Sequence, residues 1–140
     1  MNLLEQIKNE VYPDSQPDYR GQERQLMWIS DVSLSMQNPK DVDLLENCLY
    51  AIGRYNDFEP ELFLNALLDS GFHGQVILAR EGSVCIYLIG ETHDELVNLV
   101  DILDADQIHN AEDYEFVLER VKNVLKADVE ANRIMRLWWD

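Results

Sequence analysis

Hydrophobic residues in this chain recur mostly at intervals of three and four, which is the spacing of an amphipathic helix. Five segments show this spacing and are predicted as helices: 1–11, 42–55, 58–69, 92–103 and 111–135. Local signals support three of their starts. Pro60 suits the first turn of the third helix, and Asp41 suits the N-cap position of the second. Thr92 with Glu95 three residues later fits a capping box at the start of the fourth.

Two shorter segments, Gln75–Ala79 and Ser83–Ile89, are nearly continuous runs of apolar residues, which is typical of strands. The residues between them, 80–82, predict a short hairpin connection that contains Gly82. Because both runs are apolar on both faces, at least one strand should lie centrally with cover on each side. A third strand is predicted within 24–36, with a bend near Asp31. Segments 12–22 and 104–110 are predicted as polar loops.

This order of elements predicts an α+β fold, namely a small antiparallel sheet packed against four to five helices. The sheet should have about three strands, including the hairpin 75–89. A length of 140 residues and the lack of any composition shift indicate a single globular domain, 1–140. No apolar run approaches the roughly 20 residues that span a bilayer, and the N-terminus has no signal-peptide pattern. We therefore expect a cytoplasmic protein with no membrane contact.

Charge is the feature that departs most from the average. The chain carries 11 Lys and Arg against 27 Asp and Glu, a net charge of −16. Direct binding to nucleic acid is not expected, because phosphate attraction needs clustered cations. Between residues 81 and 119 there is no Lys or Arg, and we call the acids of this segment the acidic run. They are Glu81, Glu91, Asp94, Glu95, Asp101, Asp104, Asp106, Glu112, Asp113, Glu115 and Glu119.

The acidic run has two interpretations. It is either a solvated face that keeps the protein soluble, or a negative surface that imitates nucleic-acid phosphates and binds a basic partner. Acids in the first turns of helices are also favoured by the helix dipole, which explains part of the clustering. Under the second interpretation the candidate partner-binding residues are Glu91, Asp94, Glu95, Asp101, Asp104, Asp106, Glu112, Asp113, Glu115, Trp138 and Trp139.

The adjacent Trp138 and Trp139 are the second unusual feature. Aromatic side chains at a chain end fray unless they are docked. They either fold back onto the core or form an exposed anchor for a partner or a second subunit, since Trp is enriched at interface hot spots.

No catalytic residue, metal ion or cofactor is predicted. His73, His93 and His109 are too widely spaced for a typical metal site. A calcium loop starting at Asp104 fails because Ile108 and His109 occupy positions that need a ligand and a glycine. Both cysteines are predicted as reduced, buried thiols, although their spacing leaves a disulfide open: Cys48 and Cys85.

The sequence therefore predicts a non-enzymatic acidic binding protein that inhibits or neutralises a basic, nucleic-acid-handling partner, such as a nuclease. Nucleic-acid-mimic inhibitors and immunity proteins work in this way. One alternative is a small hydrolase or transferase whose carboxylates and histidines converge in space. The other is an oligomeric adaptor that uses Trp138 and Trp139, and a homo-oligomer is compatible with either binding role. A concave pocket holding His93 or His109 with two acids favours the enzyme, and a convex acidic ridge favours the inhibitor.

Overall fold

A computed structural model of the protein describes residues 2–8 and 27–140. The helices are α1 (Leu3–Gln6), α2 (Pro39–Ile52), α3 (Pro60–Asp69), α4 (His93–Val100) and α5 (Glu115–Leu125), with a short 3-10 turn at Ala131–Arg133. The strands are β1 (Met27–Ile29), β2 (Leu34–Ser35), β3 (Gln75–Glu81), β4 (Ser83–Ile89), β5 (Gln107–Asn110) and β6 (Ile134–Trp138). The end of the first predicted helix, the loop 12–22 and the start of the third predicted strand lie outside the described residues.

The strands form one antiparallel sheet in the order β1-β3-β4-β6-β5, and β2 pairs with β3. The α+β class and the antiparallel pairing are therefore confirmed. The predicted number of strands is wrong, because the described part of the chain has six instead of about three. The predicted third strand is split into β1 and β2 by a bend at Asp31.

The predicted hairpin is the centre of the sheet. β3 and β4 pair over seven positions, from Gln75 opposite Ile89 to Glu81 opposite Ser83. Gly82 closes the hairpin with a φ of 77°, a left-handed conformation that glycine adopts without steric cost. All of β4 and the middle of β3 are buried, as expected for strands covered on both faces.

The side chains of alternate residues in β3 and β4 point to opposite faces of the sheet and belong to two separate hydrophobic cores. One face, which includes Leu78 and Ile86, packs under α2, α3 and α4. The opposite face, which includes Ile77 and Tyr87, packs under α5. The fold is thus a sheet between two helical layers, and buried apolar surface on both sides is its main source of stability.

The two cysteines lie in different cores. Cys48 of α2 belongs to the core under α2 and α3, whereas Cys85 of β4 belongs to the core under α5. Both are free and buried, as predicted, and the sheet between them excludes a disulfide.

The predicted final helix, 111–135, is the largest error. α5 covers only Glu115–Leu125 and ends at Lys126, whose φ of 55° is left-handed. Residues Ile134–Trp138 form β6, which inserts between β4 and β5 and is buried on both faces. Val129 and Ile134 matched the helical spacing by coincidence, because a short run of apolar residues fits either period.

Smaller differences occur at element ends. The predicted loop 104–110 contains β5, which becomes a strand only because β6 supplies its hydrogen-bonding partner. Helix α2 begins at Pro39 with Asn38 as its N-cap, while Asp41 instead accepts the backbone N–H of Ser35 at 2.9 Å. Thr92 is the N-cap of α4 as predicted, and its hydroxyl accepts the N–H of Glu95 at 3.2 Å.

Candidate binding groove and acidic surface

The acidic run is almost entirely at the surface. Nine of its eleven carboxylates belong to exposed residues: Glu91, Asp94, Asp101, Asp104, Asp106, Glu112, Asp113, Glu115 and Glu119. Glu95 is half-buried. Among the described residues, Glu81 alone of the eleven forms an ion pair. The other ten carboxylates have no cationic partner within residues 2–8 and 27–140.

Glu81 does not belong to this surface, although the sequence placed it in the run. Its side chain is 8% exposed and forms ion pairs with Arg136 of β6 and Arg120 of α5. The Nε of Arg136 donates to the Glu81 carboxylate at 2.6 Å, and the indole N–H of Trp138 donates to the Glu81 carbonyl oxygen at 2.9 Å. Glu81 thus neutralises buried arginine charge and ties β6 to the hairpin.

Three further titratable groups surround this ion pair. The thiol of Cys85 donates to Glu81 at 3.3 Å, and burial raises the pKa of Cys85 to about 12. Burial likewise raises the pKa of Tyr87. An N–H of Arg136 donates to Nδ1 of His109 at 2.5 Å, and burial together with the Arg136 charge lowers the pKa of His109. At neutral pH the thiol is protonated and His109 is neutral, so Cys85 is not an activated nucleophile.

Four of the five described arginines are buried or half-buried, whereas Arg54 is exposed. Arg80 and Arg136 are buried. Arg120 and Arg133 are half-buried, and the Nε of Arg133 donates to the carbonyl oxygen of Gly90 at 2.7 Å. Glu81 is the carboxylate that pairs with Arg136, so the buried Arg80 and Arg136 do little to offset the exposed carboxylates.

Two acids of the run have structural contacts at the start of α4. The carboxylate of Glu95 accepts the backbone N–H of Glu91 at 2.8 Å and that of His73. The side-chain amide of Gln37 donates to Glu91. Glu95 therefore connects α4 to the residues just before it and to the loop before β3.

Asp94 lies in the first turn of α4, Asp101 at the end of α4 and Glu119 within α5, and the remaining five acids lie in two regions of the surface. Asp104 and Asp106 lie in the connection between α4 and β5 and line a groove against α3. Glu112 and Asp113 lie in the turn before α5, and Glu115 begins that helix. These three residues do not line the groove, so the acidic run contributes to more than one part of the surface.

The groove has a volume of about 620 Å³ and combines an acidic rim with apolar walls. Its rim holds five carboxylates: Asp57, Glu59, Asp69, Asp104 and Asp106. Leu62 and Ile102 form its walls and are 62% and 57% exposed. Both are large apolar side chains that line the same cavity, so the groove offers apolar surface beside its acids.

Aromatic rings form the floor of the groove. The ring of Trp139 lies 4.9 Å from that of Phe58 and 5.7 Å from that of Phe63, both in edge-on geometry. Trp139 is 3% exposed, so it folds back onto the core instead of projecting as a free anchor. The backbone N–H of the next residue, Asp140, donates to Asp106 and draws the end of β6 against the rim.

The sequence analysis did not predict three of the rim acids as site residues, nor the two apolar wall residues Leu62 and Ile102. The helical spacing of 58–69 predicts Leu62 on the apolar side of α3 together with Phe63, but the structure exposes Leu62. The signal was present in the spacing, since Leu62 precedes Phe63 by one position and so points about 100° away around the helix. Asp57, Glu59 and Asp69 precede the acidic run in sequence and join Asp104 and Asp106 only in three dimensions.

The predicted alternative sites are not assembled in the described residues. His93 donates through Nδ1 to the carbonyl oxygen of Asn132 at 2.7 Å, and neither it nor His109 lines the groove. Within residues 2–8 and 27–140, no three His, Cys, Asp or Glu side chains are grouped as metal ligands. The helices in the same ranges are too short and too polar to cross a membrane.

Comparisons of this chain with protein families, with curated proteins and with solved structures find no match.

Proposed function

We propose that this protein is a non-enzymatic acidic binding protein of the cytoplasm that occupies the basic surface of a nucleic-acid-handling partner, such as a nuclease. The observation that carries the proposal is the set of nine exposed carboxylates between residues 91 and 119 that form no ion pair within the described residues. An acidic surface of this kind attracts a basic site and accelerates association with it.

The burial of two arginines supports the same function. An ordinary soluble surface intersperses charges of both signs. Here Arg80 and Arg136 are buried, so two cations that could balance the surface do not reach it. A partner that binds phosphates with Lys and Arg would find a surface with a large excess of carboxylates. By covering that site, the protein would act as an inhibitor in the manner of a DNA mimic or an immunity protein.

The test is affinity capture from a lysate of the source organism, at 50 mM and 500 mM salt, followed by mass spectrometry. We expect a basic, nucleic-acid-binding protein to be retained at low salt and released at high salt, because surface charge attraction is screened. Adding the purified protein should also displace nucleic acid from that partner.

Charge-reversal variants make this test specific. We expect Lys at Asp101, Asp104, Asp106 and Glu112 to abolish capture. The matched control places Lys at four exposed acids outside the run, Asp31, Asp43, Glu46 and Glu130, and should retain the partner. Capture that is unaffected by the first variant, or equally reduced by the control, would show that the acidic run is only a solubilising face.

A further inference from the structure

We infer that the groove between α3 and the α4–β5 connection is the docking site for a basic, amphipathic segment of the partner protein. The inference rests on the proposed function and specifies which part of the acidic surface makes the contact. Apolar side chains of the segment would lie between Leu62 and Ile102, and its Lys or Arg side chains would face the rim acids.

The apolar walls are the first reason. Leu62 and Ile102 are 62% and 57% exposed, and both line the same cavity. Covering two such side chains stabilises a complex, because burying apolar surface yields about 25 cal/mol per Å². A simple polyamine or a phosphate-binding loop of pure Lys and Arg would leave these walls uncovered. The occupant therefore needs apolar side chains as well as cations.

The rim defines the charge of the occupant. Asp57, Asp69, Asp104 and Asp106 make no ion pair with any described residue, and Glu59 is paired with the exposed Arg54 at 3.7 Å. A second copy of this chain would bring its own acids against these acids, which is unfavourable. Nucleic acid is disfavoured for the same reason. A cationic peptide segment complements both the rim and the walls.

The floor makes the groove a rigid receptor. Phe58, Phe63 and Trp139 are buried, and Trp139 packs edge-on against both phenylalanine rings, which are tilted relative to each other. The backbone N–H of Asp57 donates to the carbonyl oxygen of Asp140 at 2.8 Å, and this bond joins the α2–α3 connection to the end of β6. A preformed, well-packed floor reduces the ordering cost of binding.

The probe for this inference is a fluorescently labelled peptide of Leu and Lys at helical spacing, about 15 residues long, titrated with the full-length protein at 50 mM salt. Two control peptides are a permutation of the same composition that lacks an apolar face, and a Lys and Ser peptide of equal charge. We expect the amphipathic peptide to bind at least tenfold more tightly than either control, because only it covers the walls.

Substitutions in the apolar walls test whether the peptide binds in the groove. We expect Leu62→Ser to weaken peptide binding roughly tenfold, which corresponds to about 1.4 kcal/mol. Leu68→Ser is the matched control, since Leu68 is 52% exposed on the same helix but does not line the groove. This control should bind as the unmodified protein does. Circular dichroism confirms that both variants are folded.

Rim variants separate the groove from the rest of the acidic surface. Asp69→Lys with Asp104→Lys should weaken peptide binding at least tenfold at low salt. Glu112→Lys with Glu115→Lys makes the same change of charge outside the groove and should weaken it less than threefold.

Several results would overturn the inference. They are no peptide binding at millimolar concentration, equal binding of all three peptides, or equal losses in groove and control variants. A dimeric mass in solution that Leu62→Ser converts to a monomer would assign the groove to a second copy instead. If the captured partner is lost with Glu112→Lys and Glu115→Lys but kept with the groove variants, the proposed function stands and the groove is not its site.

Discussion

At the residue scale, the side chains with the strongest structural role are charged groups placed inside the fold. Glu81 bonds Arg136 and Arg120 between the sheet and α5, and it receives hydrogen bonds from Cys85 and Tyr87. A buried ion pair of this kind adds little stability compared with an apolar pair, but breaking it leaves an uncompensated charge. Its role is to define how β3, β6 and α5 meet.

We therefore expect Glu81→Gln to destabilise the protein by about 3–5 kcal/mol, because it leaves the buried Arg136 charge without its carboxylate. Urea unfolding followed by circular dichroism measures this change. Combining Glu81→Gln with Arg136→Met removes both charges and should recover part of the loss. The control is Glu119→Gln, an exposed acid with no ion pair to any described residue, which should alter stability by less than about 0.5 kcal/mol. Equal effects of the buried and exposed substitutions would contradict this role.

Among the buried side chains, the sequence predicted the burial of the cysteines but not that of Glu81. Buried, reduced cysteines followed from the apolar runs around Cys48 and Cys85, and the structure confirms both. The burial of Glu81 did not follow, because a carboxylate in a hairpin sequence is normally solvated. Its partners Arg120 and Arg136 are 39 and 55 positions away, and no local pattern links such residues.

At the element scale, local signals predicted helix starts better than helix ends. Pro60 and Thr92 begin or cap their helices as expected, because capping depends on neighbouring residues. The end of α5 depends on Lys126 adopting a left-handed conformation for which lysine has no preference. β6 is a strand because it pairs with β4 and β5, and β5 is a strand because it pairs with β6, and neither pairing can be seen in the local sequence.

We expect Lys126→Gly to stabilise the protein by about 1 kcal/mol, since glycine adopts the φ of 55° at this helix end without steric cost. Thermal unfolding at neutral pH provides the measurement. As a control, Asn123→Gly within the exposed side of α5 should destabilise by about 0.5 kcal/mol, because glycine weakens a helix interior. A loss of stability in Lys126→Gly would mean that α5 does not end at this position.

At the scale of the whole molecule, the excess of negative charge has opposite effects on the stability of the fold and on binding of a basic partner. The net charge of −16 and the burial of Arg80 and Arg136 leave a strongly negative surface, whose charges repel one another in the folded state. The same surface attracts a basic partner in our proposal. Screening by salt should therefore have opposite effects on folding and on binding.

We expect raising NaCl from 20 to 500 mM to increase the melting temperature by roughly 3–6 °C, which corresponds to about 1 kcal/mol. Scanning calorimetry tests this. The variant with Lys at Asp101, Asp104, Asp106 and Glu112 has a net charge of −16 + 8 = −8, and it should gain less from the same salt. A melting temperature that salt leaves unchanged or lowers would show that surface repulsion is unimportant.

The sequence alone determined the α+β class, the central hairpin and the excess of acids, because hydrophobic period, turn residues and composition are properties of the chain itself. Only the tertiary structure decided that Ile134–Trp138 is a strand between two others and that Glu81 is buried. It also brought Asp57, Glu59 and Asp69 together with Asp104 and Asp106 around exposed Leu62 and Ile102. Strand pairing, ion pairing and groove formation join residues that are distant in the chain. No pattern in the local sequence therefore indicates these interactions.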